Sequence, residues 1–458
     1  MNIALIFPRT RYPSGQPPLG ILSLAAYLRR ESDAQVDILD LTFRKKPFEY
    51  LQQALSARRY DIVGLSVMTS MLRDAEHASA IARQTNPGAL VLWGGPHTTV
   101  LPDDSLAQPA VDAVAIGEAE ETLLELVQHG GDPTGVAGIW HKTADGGTAH
   151  NPPRPLIQDL STLPWPARDL VDMKTYARAW YSLTAAAPNL LGTSIITSRG
   201  CPYVCTYCQP TLRQLFGKKV RRRSVDDVLA ELVHLKEAYG LNAFMFEDDT
   251  FIIHRPWVQE FSARLQEANL GLRWGCNVRA DLTSREVLEP MVRAGLVQIN
   301  IGIESGTQRI LDQIYDKRIT VQDVQQAVDT ARSLKLKVGG YFMIGAPTET
   351  EQEIEHTIRF AARLPIDEAA FNITTPLPGT HLWDQTRDLV GGDVAEFDYY
   401  HTSVYNSPSV LPANRLQQLK RKAYLKFYLF SPRRVPNALK WSTSPLGIHK
   451  MLLRMKRF

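Results

Sequence analysis

The stretch TSRGCPYVCTYCQP, residues 197–210, holds three of the chain's four cysteines: Cys201, Cys205 and Cys208. Thiolates spaced C-x3-C-x2-C favour zinc or an iron–sulfur cluster. A structural zinc site closes with four ligands. Cys276, His234 or His254 could serve as a distant fourth, yet no paired C-x2-C or H-x3-H partner is present. Three thiolates on a [4Fe–4S] cube leave one iron without a protein ligand, and an open iron can bind and activate a substrate. The cysteines follow directly on an apolar run, 194–199, that reads as a strand. They therefore occupy a loop at a strand's carboxyl end, where barrel chemistry is built.

Working outward, strand-like runs recur at 243–247, 272–277, 297–302, 337–343 and 369–374, with helical spacing between them, as at 224–238 and 321–334. Six such units in 191–380 suit an open, partial barrel better than an eight-fold one. Residues 1–130 alternate strand and helix signals, which implies a parallel, doubly wound α/β domain. Ligands of such sheets bind outside the carboxyl ends of the strands. Those ends are Pro8, Ser66 to Ser70 with Thr69 between them, Gly94 to His97 with Gly95, and Gly117 with Glu118. No GxGxxG follows the first strand, which disfavours a dinucleotide. Residues 131–190 read as a connector, with a hairpin turning at Asp145-Gly146-Gly147 and a Pro-rich STLPWPARDL. Residues 381–458 read as a basic helical region.

The composition, 44% hydrophobic and 22% charged over 458 residues, is that of a folded globular protein. No apolar run approaches the roughly 20 residues of a spanning helix. The first residues show no secretory signal and the few cysteines form no disulfide framework, so a cytoplasmic setting is expected. The net charge of +3 conceals an asymmetry. From Leu411 to Phe458 there are 12 Lys and Arg and no acid, which leaves 39 basic against 48 acidic residues elsewhere. The tail is amphipathic: Leu416, Leu419, Tyr424, Phe427, Tyr428 and Leu429 alternate with basic residues. It is expected to dock on the acidic body or to lie on the inner, anionic face of a membrane. No nucleic-acid module is recognised.

The cysteine spacing, with Tyr207 as the aromatic residue before the last cysteine, resembles the signature of the radical S-adenosylmethionine (SAM) superfamily. FMFEDDTF (244–251), NIGIESGTQRIL (300–311) and GYFMIGAPTET (340–350) resemble its barrel segments. The resemblance implies a [4Fe–4S] cluster held by Cys201, Cys205 and Cys208, whose open iron chelates SAM. It implies SAM contacts from Glu247, Asp248 or Asp249, from Glu304 and Ser305, and from backbone around Ile344 to Ala346. Arg279, in NVRAD, is expected to pair with a carboxylate or ribose. The N-terminal domain resembles the cobalamin-binding domain of B12-dependent radical SAM enzymes, through residues 7–29, 61–70, 91–99 and 114–126. No D-x-H-x-x-G motif is present, so His97 is read as a loop residue near the corrin edge and not as a cobalt ligand. Cys276 is read as a buried strand thiol.

The activity implied is methyl transfer from SAM by way of methylcobalamin to an unactivated carbon or to phosphorus, with a 5′-deoxyadenosyl radical opening the acceptor. The alternative within enzymes is a cyclase or ring-rearranging enzyme that does not methylate. A cofactor-binding regulator without turnover is disfavoured by the intact cysteine triad. An electron donor such as flavodoxin or ferredoxin is implied. The basic, aromatic tail favours a small-molecule substrate of lipid, tetrapyrrole or secondary-metabolite type. The segment 374–386, with His381 and Trp383, is expected to form a lid or substrate wall.

Overall fold

The computed structural model describes residues 1–8, 12–187, 189–398, 400, 404–407, 410–429, 434 and 445–455. The first sheet has seven strands: β1 (Asn2–Phe7), β2 (Gln35–Asp40), β3 (Ile62–Ser66), β4 (Leu90–Gly94), β5 (Ala113–Ala115), β6 (Ile139–Lys142) and β7 (Thr148–His150). Their order is β2-β1-β3-β4-β5-β6-β7. The first five are parallel and their apolar runs are buried, as expected for a sheet covered by helices on both faces.

The hairpin assigned to the connector instead joins this sheet, because β6 pairs antiparallel with β5. The physical reason is the edge. β5 is only three residues long and fully buried, and without β6 its backbone groups would be left unpaired. The first sheet therefore extends to His150, beyond the stretch 1–130 from which its parallel strands were read.

The second sheet is the open barrel. Its strands are β8 (Gly192–Ile195), β11 (Ala243–Phe246), β12 (Arg273–Val278), β13 (Leu296–Glu304), β14 (Lys337–Ile344) and β15 (Glu368–Ile373), all parallel in the order β15-β14-β13-β12-β11-β8. Between β8 and β11 lies a short antiparallel pair, β9 (Ser198–Arg199) with β10 (Arg221–Arg222). Strand period two sorts the barrel's side chains. On β13, Ile299, Ile301 and Ile303 pack in the core against the outer helices, while Gln298, Asn300, Gly302 and Glu304 take the other face. Trp180 closes the amino end beneath β8, where a Cβ on Gly192 would lie 2.3 Å from its ring.

The tail docks on the acidic body. Leu416 and Leu419 of the helix Ala413–Tyr424 are buried in the barrel core, as is Phe427. Arg415 pairs with Glu351, and Lys422 with Glu355. β15 is an open edge, and tail tyrosines cover it. Tyr424 Oη accepts from Phe371 N at 3.0 Å, and Tyr428 Oη accepts from Ala369 N and donates to Ala369 O, both at 3.1 Å. Residues 430–433, 435–444 and 456–458 of the basic tail lie outside the described residues.

Candidate active site

The cysteine loop leaves β9 through Gly200, whose φ of +103° favours glycine. The turn is tight: Cys205 O accepts from Cys208 N at 3.1 Å and from Gln209 N at 3.0 Å. Cys201 Sγ lies 3.7 Å from Thr250 Oγ1, and Cys205 Sγ lies 3.9 Å from Arg279 Nη1. Burial pushes the Cys201 and Cys208 thiols up, and the Cys205 sulfur beside them adds to the effect. Crowded thiols that resist losing protons to water suit a cationic cluster that takes the protons' place. Among the described residues, no three His, Cys, Asp or Glu side chains converge as ligands of one ion. Thiolates serving different irons of a cube need no such convergence, so the loop fits a cluster.

Cations and a phenol flank the loop. Glu304 Oε1 accepts from Lys317 Nζ at 2.6 Å and from Tyr207 Oη at 3.2 Å, and Lys317 Nζ donates to Tyr207 Oη at 2.9 Å. Burial, then the Glu304 charge, raises the Tyr207 phenol. Glu304 sits at a bulge with φ +64°, and Gly302 leaves room for the pair: a Cβ there would lie 2.7 Å from Glu304 Oε1 and 2.8 Å from Lys317 Nζ. Lys317 was not read from the sequence, where a lone lysine in YDKRI carries no signal. Its position comes from the tertiary fold.

Other sequence candidates are committed elsewhere. Arg279 stacks on Tyr203 at 3.6 Å and donates to Asp281 and to Lys317 O, so it braces the cysteine loop and has no free fork for a ribose. Asp248 is buried and accepts from Thr197 N, Thr197 Oγ1 and Ser198 Oγ at 2.6–3.1 Å, clamping the end of the first barrel strand. Ser305 is fully buried against Thr357 and caps the turn at Thr307. Ile344 continues the β14–β15 register, its carbonyl accepting from Thr374 N at 2.9 Å. Glu349 accepts from Gly345 N at 2.7 Å and Ala346 N at 3.0 Å, holding the turn read as an adenine contact. The segment 374–386 packs against the cysteine loop. His381 N donates to Gln209 O at 2.6 Å and Leu382 N to Thr206 O at 2.8 Å, so it buttresses the cysteine loop. Cys276 is fully buried in the core, as read.

Two cavities meet at one acid. The larger, about 350 Å³, runs from the face of the first sheet, between Leu5, Gly64 and Leu92 and the helix Leu19–Glu31, to the barrel mouth at Ile196, Glu247 and Asp249. The smaller, about 170 Å³, lies in the barrel lumen and also includes Glu247. Glu247 accepts from Gln16 Nε2 at 2.7 Å and Ser194 Oγ at 3.1 Å, and burial raises its carboxyl. Asp249 is exposed where it opens into the larger cavity, and partial desolvation by the protein packed around it, followed by the Asp248 charge, pushes its carboxyl up to about 6.

Strand ends of the first sheet line the larger cavity through Ser66, Gly94, Gly95, Gly117 and Glu118. Gly95 has φ +99°, and a Cβ there would meet Val67 O at 3.0 Å. These bare edges, with apolar walls, suit a flat, bulky ring system. Glu118 is largely spent on the domain junction: it accepts from Arg199 at 2.7 Å, Arg221 at 2.8 Å and Ile157 N at 3.0 Å. Pro8 is buried beside this edge and Ser70 is exposed, and neither lines the cavity. Thr69 Oγ1 is 3.2 Å from His97 Nδ1, and His97 is buried and does not line the cavity.

Residues 195–361 match the radical SAM superfamily and residues 9–127 match the B12 binding domain. The uncharacterized methyltransferase PH0819 of Pyrococcus horikoshii is 34% identical over 442 residues, covering 94% of this chain and 93% of that protein. The chain belongs to the cobalamin-binding radical SAM enzymes. An anaerobic magnesium-protoporphyrin IX monomethyl ester cyclase of Rubrivivax gelatinosus is 27% identical, covering 90% of this chain and 74% of its own length. The radical SAM methyltransferase TsrM of Kitasatospora setae, solved with cobalamin and a [4Fe–4S] cluster, shares the fold with a TM-score of 0.72 at 19% identity, over 93% of this chain and 85% of its own. The cofactors of this cobalamin-binding radical SAM enzyme are therefore a [4Fe–4S] cluster, SAM and cobalamin. Among the described residues, no helix is long and apolar enough to cross a membrane.

Proposed function

We propose that this enzyme transfers a methyl group from SAM, by way of cobalamin, to a small-molecule acceptor held in the barrel lumen. The observation that carries the reading is that Glu247 lines both cavities, so a group at the first sheet's edge and a substrate in the lumen come within reach of one another. When bound, the cluster, SAM and cobalamin supply reductive SAM cleavage and methyl carriage. The chain's own residues position and insulate. Cys201, Cys205 and Cys208 would hold the cluster, while Arg279 and Lys317 place positive charge beside it. Glu247 and Asp249 face open volume as acceptors for an ammonium or hydroxyl group. Leu160, Leu163, Pro164 and Pro166 wall the larger cavity and exclude water. The test is Glu247→Leu in the reconstituted enzyme. Yields of S-adenosylhomocysteine and 5′-deoxyadenosine should fall on the order of a hundredfold while cluster and cobalamin absorbance persist; unchanged yields would remove Glu247 from the reading.

The cyclase among the relatives supports a second reading, ring formation without methylation, which predicts no S-adenosylhomocysteine. Cys276, the one cysteine outside the triad, is buried in the core, so an external electron donor such as flavodoxin or ferredoxin belongs to either reading. Peripheral membrane contact is supported by exposed Leu425 and Leu429 beside Arg421, Lys422 and Lys426. Because Leu416, Leu419 and Phe427 are core residues, deleting the tail would also expose core surface and confound the readout. Leu425→Gln with Leu429→Gln is the cleaner probe: partitioning onto anionic liposomes should drop several-fold, and unchanged partitioning would sink the contact.

A further inference from the structure

Either reading needs an electron from outside the chain, and most of the cysteine loop is covered. His381 and Leu382 buttress it through Gln209 O and Thr206 O, and Lys317 and Glu304 pack against Tyr207. Its outward part is Pro202 to Val204: Pro202 is exposed, and Tyr203 and Val204 are half-buried. Electron transfer between proteins weakens steeply with distance. A carrier seated over Pro202 comes within one residue of Cys201.

Cations flank this outward part. The cysteine loop leaves β9 where Lys218 and Lys219 lead into β10, and a Cβ on Gly200 would lie 3.0 Å from Lys219 O, so the two segments touch beside Cys201. A Cβ on Gly217 would lie 2.6 Å from Leu156, which pins the lysine segment from behind. Lys218 and Lys219 are exposed and form no ion pair among the described residues. Arg213 Nη2 donates to Pro202 O at 3.1 Å. On the other side, Arg279 lies over the Tyr203 ring and donates to Lys317 O, next to Arg318, whose side chain is 67% exposed. Asp281 and Asp316 lie among these cations and each is paired, with Arg279 at 3.1 Å and with Arg318 at 2.9 Å. Cations therefore outnumber acids here, on a body that outside the tail carries 39 basic against 48 acidic residues.

We propose that this basic rim is the docking surface of an acidic one-electron carrier protein, which presents a flavin edge or an iron–sulfur cluster and seats over Pro202. Lys218 and Lys219 are the principal attractive charges, and Arg213 and Arg318 bracket the seat. Complementary charge speeds encounter and sets orientation more than it tightens binding, which suits a carrier that must leave after one electron. Redox encounters of this kind bury little surface. The transfer is one electron out of the carrier and into the cluster, with no bond made or broken. An anionic membrane would call for apolar anchors beside the cations. The large exposed apolar side chains among the described residues lie elsewhere: Leu425, Leu429, Ile448 and Leu452 in the tail, Ile196 and Tyr341 at the cavities. The proposal rests on the chain being a cluster-bearing enzyme fed by an external donor, and it holds for methyl transfer and ring formation alike.

The test is NMR line broadening of an isotope-labelled flavodoxin and, separately, an isotope-labelled ferredoxin, as the full chain, reconstituted with cluster and cobalamin, is added anaerobically at low salt. At least one carrier should bind, with broadening centred on the residues around its flavin or cluster. Lys218→Glu with Lys219→Glu should weaken that binding about tenfold, and Arg318→Glu should weaken it in the same direction. Lys218→Arg with Lys219→Arg should retain it, and added salt should weaken the wild type toward the double variant. Cluster absorbance, recorded for every variant, reports an intact loop. Should the double variant lose the cluster, Arg318→Glu and the salt titration of the wild type carry the test. The proposal is overturned when neither carrier binds, when broadening falls on the face away from the redox centre, or when variants with an intact cluster bind as the wild type does. Loss of anionic-liposome partitioning in the double variant, with carrier binding unchanged, would assign the rim to a membrane instead. Failure of the methyl-transfer reading would show separately, as missing S-adenosylhomocysteine with carrier binding intact.

Discussion

Glu349 carries the clearest pH signature of any single residue. It is buried, its Oε2 caps two backbone amides, and its Oε1 has no hydrogen-bond partner among the described residues. Burial raises its carboxyl from 4.5 to about 7. The folded chain therefore keeps a proton that the unfolded chain has released. The stability is fully present below pH 4.5 and falls as pH rises to about 7, by roughly 3 kcal/mol. Glu349→Gln keeps the amide acceptor and cannot ionise. Thermal melts of the variant should lose this slope, and an unchanged slope would assign it to other groups. At this scale the sequence was uneven. Cysteine spacing is local chemistry, so the shared loop of Cys201, Cys205 and Cys208 was legible. Among the three consecutive acids at 247–249, strand alternation and the turn decide which faces a cavity, and Asp248 turned out to be the clamp. Lys317 reaches Glu304 only through the bulge in β13, which no spacing announces.

At the scale of elements, all six barrel strands and the five parallel strands of the first sheet were legible from apolar runs between helical patterns. What the sequence left unread lay at edges. The 139–150 hairpin looked like a connector because nothing local records that β5 needs a partner. The tail docks on the body, as one of its two readings expected, and what its spacing does not announce is that its tyrosines serve the edge of β15. That role is measurable. Tyr424→Phe and Tyr428→Phe each remove a hydroxyl that completes the strand's backbone bonding, and each should cost about 1 kcal/mol in chemical denaturation. The double variant, with the edge uncovered, should associate by light scattering. A monodisperse double variant of wild-type stability would show that packing of Leu416 and Phe427 alone protects the edge.

At the scale of the whole molecule, the two domains are joined through charge. Arg199 and Arg221, on the short pair that precedes and follows the cysteine loop, bind Glu118 and Glu120 of the first domain at 2.5–2.8 Å. Arg168 and Arg223 both reach the fully buried Glu231, tying the connector to the barrel. Such buried pairs fix relative placement more surely than they add stability. The consequence is that the edge of the cobalamin-type sheet and the mouth of the SAM barrel face one shared acid. The direct test is anaerobic: reconstitute the full chain with iron and sulfide, supply SAM and a reductant, and quantify S-adenosylhomocysteine and 5′-deoxyadenosine with and without added cobalamin. The account predicts both products, with S-adenosylhomocysteine appearing only when cobalamin is present. 5′-Deoxyadenosine alone, unchanged by cobalamin, would contradict it.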